Sequence, residues 1–141
     1  MPSDIAYPVR GACVCGAVSY LLHEAPLVVA VCHCRQCQAS SGGAFGVSAM
    51  VRAEALECHG ELREWRRTGA SGQTSVAHFC PSCGSHVYHV NPEAPDMLML
   101  KPGGLADTRM IRPTIHVWTC EKQDWYALPA DVTAFETQPP R

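Results

Sequence analysis

Short stretches of alternating apolar and polar residues, cut by turn residues, run along most of this chain and predict β-structure with few helices. After a Cys15-Gly16 turn, Val18, Tyr20 and Leu22 alternate with Ser19 and Leu21, and an apolar run over 27–31 leads into a cysteine-rich loop. Further strands are predicted over 44–50, 62–67, 74–79, 86–90, 97–101 and 114–119. Their lengths and spacing suit several short antiparallel strands. The best helical candidate is 52–57, and 35–40 can form one more turn. Eleven prolines and eleven glycines fall mainly between these segments, at Asn91-Pro92, Ala94-Pro95, Pro102-Gly103-Gly104 and Arg112-Pro113, where they set turns and exclude long helices.

At 141 residues, 47% hydrophobic and 17% charged, the chain suits one domain with a real core. A net charge of −2 gives no footprint for nucleic acid, which needs a clustered excess of Lys and Arg. The one basic knot, Arg63-Glu64-Trp65-Arg66-Arg67, reads as a solvated strand face with one apolar residue turned inward. The first eight residues have neither a basic head nor an apolar run, so a secretory leader is not expected and the protein is expected in the cytoplasm. No apolar stretch approaches the ~20 residues that span a bilayer.

Seven of the nine cysteines fall into three tight clusters, Cys13-Val14-Cys15, Cys32-His33-Cys34-Arg35-Gln36-Cys37 and Cys80-Pro81-Ser82-Cys83. In a reducing compartment such clusters favour metal ligation over disulfides. Thiolates two or three residues apart on a tight turn can converge on one Zn²⁺, and two knuckles from distant hairpins can share it. Cys13, Cys15, Cys80 and Cys83 can do this, with Pro81 and Gly84 shaping the second turn. Cys32, Cys34 and Cys37 offer three ligands from one loop and no obvious fourth, so two zincs per chain are expected, the second with an open position. His33 between them reads as a supporting residue, and Cys58 and Cys120 as ordinary strand or core residues.

Three thiolates on Zn²⁺ leave a formal charge of −1, a poor acidifier of water but a good host for a thiol, which predicts C–S bond making or breaking over hydrolysis. Candidate proton donors are His33, His78, His86 and His116, and Phe45, Trp118 and Trp125 are candidate pocket walls. The alternatives are a zinc-stabilised scaffold without catalysis and a cysteine redox protein. The second is the weaker, because nothing around Cys80-Pro81-Ser82-Cys83 signals a helix start that would depress a thiol pKa.

Taken together, Gly11-Ala12-Cys13-Val14-Cys15-Gly16-Ala17-Val18, Cys32-His33-Cys34-Arg35-Gln36-Cys37-Gln38 and Phe79-Cys80-Pro81-Ser82-Cys83-Gly84-Ser85 resemble the glutathione-dependent formaldehyde-activating (GFA) family, which includes the centromere protein V domain. Gly42, Gly43 and Phe45, and the segments His116-Val117-Trp118 and Trp125 to Pro129, extend the resemblance. It implies a mainly β, tent-like fold of small antiparallel sheets as a single domain over 10–137, with an extension over 1–9 and a frayed tail over 138–141. It also implies a structural zinc on Cys13, Cys15, Cys80 and Cys83 and a catalytic-type zinc on Cys32, Cys34 and Cys37. The implied activity is a carbon–sulfur lyase type, the reversible addition of a small thiol such as glutathione to an aldehyde such as formaldehyde.

Overall fold

Alternation becomes strands, and cysteine turns become the corners between them. The computed structural model describes residues 4–140; Met1, Pro2 and Ser3 of the expected extension and Arg141 of the expected tail lie outside them. In chain order the elements are β1 (Val9–Ala12), β2 (Ser19–Leu22), β3 (Val28–Cys32), α1 (Arg35–Ser41), β4 (Gly46–Arg52), β5 (Leu56–His59), β6 (Arg63–Thr68), β7 (Thr74–Phe79), β8 (His86–Val90), β9 (Met97–Leu100), β10 (Ile115–Val117) and β11 (Thr133–Ala134). Among the described residues the protein is mainly β, as the pattern predicts. No described helix is long and apolar enough to cross a membrane.

The strands form a three-stranded sheet, β1-β2-β5, and an eight-stranded sheet ordered β11-β10-β3-β4-β9-β8-β7-β6. Pairing is antiparallel except at one edge, where β10 runs parallel to both β3 and β11. Period-two alternation cannot reveal that departure, because it fixes which face a side chain takes and not which way its neighbour runs. The helix expected over 52–57 is instead a 3₁₀ turn, Ala53–Ala55, running into β5. Four-residue pairing of β5 with β2 outweighs the weak helical propensity of so short a segment.

Alternation also sorts the large sheet into two faces. Val29 and Val31 of β3, Ala49 and Val51 of β4, and Leu98 and Leu100 of β9 are buried, most of them in one cluster with Val9, Tyr20 and Leu22 of the small sheet. The intervening residues, Ala30, Ser48, Met50, Met97 and Met99, line a cavity on the other face. The register pairs Met50 with Met99 and Ala30 with Ser48, so these side chains adjoin across the strands. Arg63 to Thr68 forms the edge strand β6, and its Trp65 is 54% exposed rather than turned inward.

Candidate metal centres

Cys13 and Cys15 sit on the turn after β1, and Cys80 and Cys83 on the turn between β7 and β8. Both turns close on backbone bonds: Gly16 N–H donates to Cys13 O at 3.1 Å and Gly84 N–H to Cys80 O at 2.9 Å. Gly84 has φ +78, a left-handed conformation that a side chain would strain. Val14 N–H reaches Ser85 Oγ at 3.1 Å and ties the two turns together. The sulfurs then meet, with Cys13 Sγ 3.6 Å from Cys15 Sγ and Cys15 Sγ 3.7 Å from Cys80 Sγ. Val18 N–H donates to Cys13 Sγ at 3.3 Å and lowers that thiol pKa. The Ser85 hydroxyl and amide, donating to Cys83, hold its pKa at about 5.

Cys32 ends β3, Cys34 caps α1, and Cys37 lies one turn into that helix. Cys34 Sγ accepts the Cys37 N–H at 3.3 Å, the role an oxygen usually plays at this position. Hydrogen bonding from Cys32, then Cys37, drives the Cys34 pKa strongly down, while the same contact with Cys34 drives Cys32 up. The three sulfurs thus favour a shared negative charge, which a divalent cation would relieve. A Cβ added at Gly46 would lie 3.3 Å from Cys37 Cβ, so glycine lets β4 pass close to Cys37 without crowding it.

In each cluster the ligand atoms all lie within 4.8 Å of one another, which suits a small tetrahedral ion. Each could hold a zinc ion: four sulfurs from two turns in one, three from one loop and helix in the other. The remaining described cysteines stand apart, Cys58 half-buried opposite Tyr20 and Cys120 exposed.

Only the three-cysteine cluster opens onto the large cavity, about 590 Å³, whose wall includes Cys32, Cys34 and Cys37. Arg67, the residue of β6 that turns inward, places Nη2 3.7 Å from Cys37 Sγ and also bonds Gln36 Oε1. Lys101 Nζ donates to Ser48 Oγ at 2.9 Å, and burial lowers its pKa against the pull of the three cysteines. His89 lies on the wall; burial, then the charges of Lys101 and Arg67, push its pKa down to about 3, so its ring is neutral at pH 7. Trp118 borders the cavity with φ +58, and its Nε1 donates to Gln138 Oε1 at 3.2 Å. Gln138, Pro139 and Pro140, expected to fray, form part of the wall.

The four histidines named as proton donors lie off this wall. His33 and His116 are buried and bond each other, Nε2 to Nδ1 at 2.9 Å. Because His33 Nδ1 is buried without a partner among the described residues, the less costly arrangement leaves it unprotonated and lets His33 Nε2 donate. His78 stacks on Tyr88, and His86 stacks on Phe79 beside a second, smaller cavity at Cys13. Phe45 packs edge-on against His33 and Tyr126 instead of lining the cavity, and Trp125 is 73% exposed. Sequence reasoning missed Arg67, Lys101, Ser48 and His89, whose positions depend on strand pairing. It also missed Gln38, whose amide donates to His33 O at 2.7 Å and Glu121 O at 2.9 Å and accepts from Gln123 at 2.8 Å. Its place one residue after Cys37 was the available signal.

A family model described as glutathione-dependent formaldehyde-activating enzyme matches residues 8–121. The chain belongs to the GFA family. The matched stretch holds all seven clustered cysteines and ends at Glu121, so the GFA model stops short of β11 and of the wall residues Gln138, Pro139 and Pro140. Among solved structures, this GFA chain is similar to a Rhodobacter sphaeroides protein determined as a structural-genomics target. The two are 20% identical, with 69% of this chain and 87% of that one covered at a TM-score of 0.53, a likeness of fold alone. No curated protein matches it.

Proposed function

We propose that this protein is a carbon–sulfur lyase-type enzyme that adds a thiol reversibly to an aldehyde at Cys32, Cys34 and Cys37, while Cys13, Cys15, Cys80 and Cys83 hold a structural zinc. The observation that carries this reading is that three converging sulfurs from one loop and helix open onto a cavity of about 590 Å³. Cys32, Cys34 and Cys37 would hold a zinc ion, which would supply a soft Lewis-acid position favouring the thiolate form of a substrate thiol over the thiol. In the reaction the substrate sulfur forms a bond to the aldehyde carbon, the C=O π pair moves onto oxygen, and that oxygen takes up the proton the thiol gave up. The reverse direction breaks the same C–S bond, and no oxidant or reductant is needed.

The chain's own residues handle charge and proton. Arg67 against Cys37 offsets the excess negative charge of a three-thiolate site. Ser48 Oγ, on the cavity wall, accepts from Lys101 Nζ and so keeps its own O–H free to hydrogen-bond the oxygen that gains charge. Neutral His89 can only donate or accept a hydrogen bond near pH 7, not supply charge. Gln38 holds the loop backbone at His33 against α1, fixing Cys32 and Cys34 relative to Cys37.

The test pairs metal counting with exchange spectroscopy. Two zinc ions per chain are expected, and the wild-type protein should accelerate exchange between free and thiol-bound ¹³C-formaldehyde with glutathione and with 2-mercaptoethanol. Cys34→Ser should abolish the acceleration while retaining one zinc. One zinc per chain in the wild type, or unchanged exchange with both thiols and with phenylmethanethiol as well, would leave a zinc-stabilised scaffold as the better description.

A further inference from the structure

The cavity beside the three cysteines is built for something other than a charged tripeptide. Its wall is mostly apolar and includes Met50, Met97 and Met99 side by side on one face of the large sheet, with Ala30 behind them and Trp118 and Pro139 at the rim. Methionine is flexible and polarisable and suits an apolar body of variable shape. Strands β4 and β9 already bury Ala49, Val51, Leu98 and Leu100 on their opposite face. The methionines are therefore a second apolar face, and packing in the described core does not require them.

Charge on the wall runs the same way. A peptide such as glutathione carries two carboxylates, and burying them requires paired cations. On this wall Arg67 is engaged by Gln36 and Cys37 and His89 is neutral, while Lys101 is held at Ser48 and lines the second cavity. Arg35 is exposed, with its backbone N–H donating to Glu121 Oε1 at 3.3 Å, so its guanidinium stays in solvent rather than in the buried part of the cavity. Formaldehyde, for its part, has no substituent to fill such a volume.

We infer that the thiol substrate of this site carries an apolar body, which lies across Met50, Met97 and Met99 while its sulfur meets the three cysteines. This rests on the thiol-addition reading above and narrows it to a substrate class. Binding is then driven by burial of apolar surface against the methionine face. Specificity comes from a wall that is mostly apolar in area and so favours an apolar body over a charged one.

Titration calorimetry of the zinc-loaded protein with phenylmethanethiol, 2-mercaptoethanol and glutathione measures the preference. The sulfur-to-metal charge-transfer band of the cobalt(II)-loaded protein reports whether the thiol reaches the metal. Phenylmethanethiol should bind at least tenfold more tightly than glutathione. Met99→Lys should weaken phenylmethanethiol tenfold or more and leave 2-mercaptoethanol unchanged; Met50→Gln, close in size, should weaken it severalfold without threatening the fold. Glutathione binding as tightly as phenylmethanethiol, or both variants binding phenylmethanethiol like wild type, overturns the apolar assignment while the thiol reading stands. A charge-transfer band that none of the three thiols alters overturns the thiol reading itself, and this inference with it. A dimer that buries the methionine face and dissociates in Met99→Lys, with no change in thiol affinity, assigns the face to a second copy and also overturns the inference.

Discussion

His89 shows how one side chain can link the cavity to the stability of the sheet. Unfolded, its ring takes a proton near pH ~6.5; folded, it does so only near about 3, chiefly because burial disfavours the charge. Between these values the unfolded chain binds more protons, so stability falls as pH drops from ~6.5 toward 3, by at most ~1.4 kcal/mol per pH unit for this residue. The ring borders a solvent-accessible cavity, and screening there keeps the slope below that ceiling. His33, His78, His86 and His116 are also lowered and add slope of the same sign. Urea midpoints of the zinc-saturated protein at pH 7 and pH 5 should differ less in His89→Gln than in wild type; equal differences would contradict this assignment. His89 was not singled out in the sequence because a strand histidine has no mark of facing a cavity until its neighbours, Ala77 and Met99, are known.

The short helix α1 is the element on which the three-cysteine site depends. Seven residues cannot sustain a helix in isolation, and the Gln38 amide supplies the missing anchorage by bonding His33 O, Glu121 O and Gln123 at once. Gln38→Leu keeps the volume but strands buried carbonyls, each costing ~1–3 kcal/mol. We expect a loss of about 2 kcal/mol or more in stability and weaker retention of one of the two zincs. Chelator titration followed by metal analysis would check this, with the four-cysteine zinc unaffected. Retention of both zincs at wild-type affinity would show that the helix is held by other means. The cysteine spacing made the turn at 35–40 legible, but its partners lie 83 and 85 residues away, beyond any local pattern.

For the molecule as a whole, the proposed function has the two clusters divide the labour unequally. Four sulfurs join β1–β2 to β7–β8, two strand pairs from different sheets, so binding there is coupled to folding. Three sulfurs span only one loop and helix. Cys80→Ser should therefore abolish cooperative unfolding or lower the melting temperature by more than about 10 °C, a shift that for a chain of this size corresponds to several kcal/mol. Cys34→Ser, which keeps an N-cap acceptor, should shift it by only a few degrees. Chelation of the wild type should release one zinc with the β-sheet circular dichroism intact and the other only as that signal is lost. Equal melting losses in the two variants would refute the division.

Much of this was written along the chain. Alternation located most of the strands, because each strand buries one face, but not β1, β5 or β11, and cysteine spacing marked the three turns, because two or three residues on a turn bring sulfurs close together. Both are short-range consequences of backbone geometry. The meeting of Cys13 and Cys15 with Cys80 and Cys83, and what surrounds both clusters, came from long-range pairing: β10 docking parallel to β3, β6 folding over so that Arg67 meets Cys37, and β9 placing Met97 and Met99 beside Met50. Alternating Met-Leu-Met-Leu over 97–100 specifies a strand whose two faces are both apolar. Which of them meets the core and which a cavity is set by the sheets that pack against it, and no local pattern carries that information.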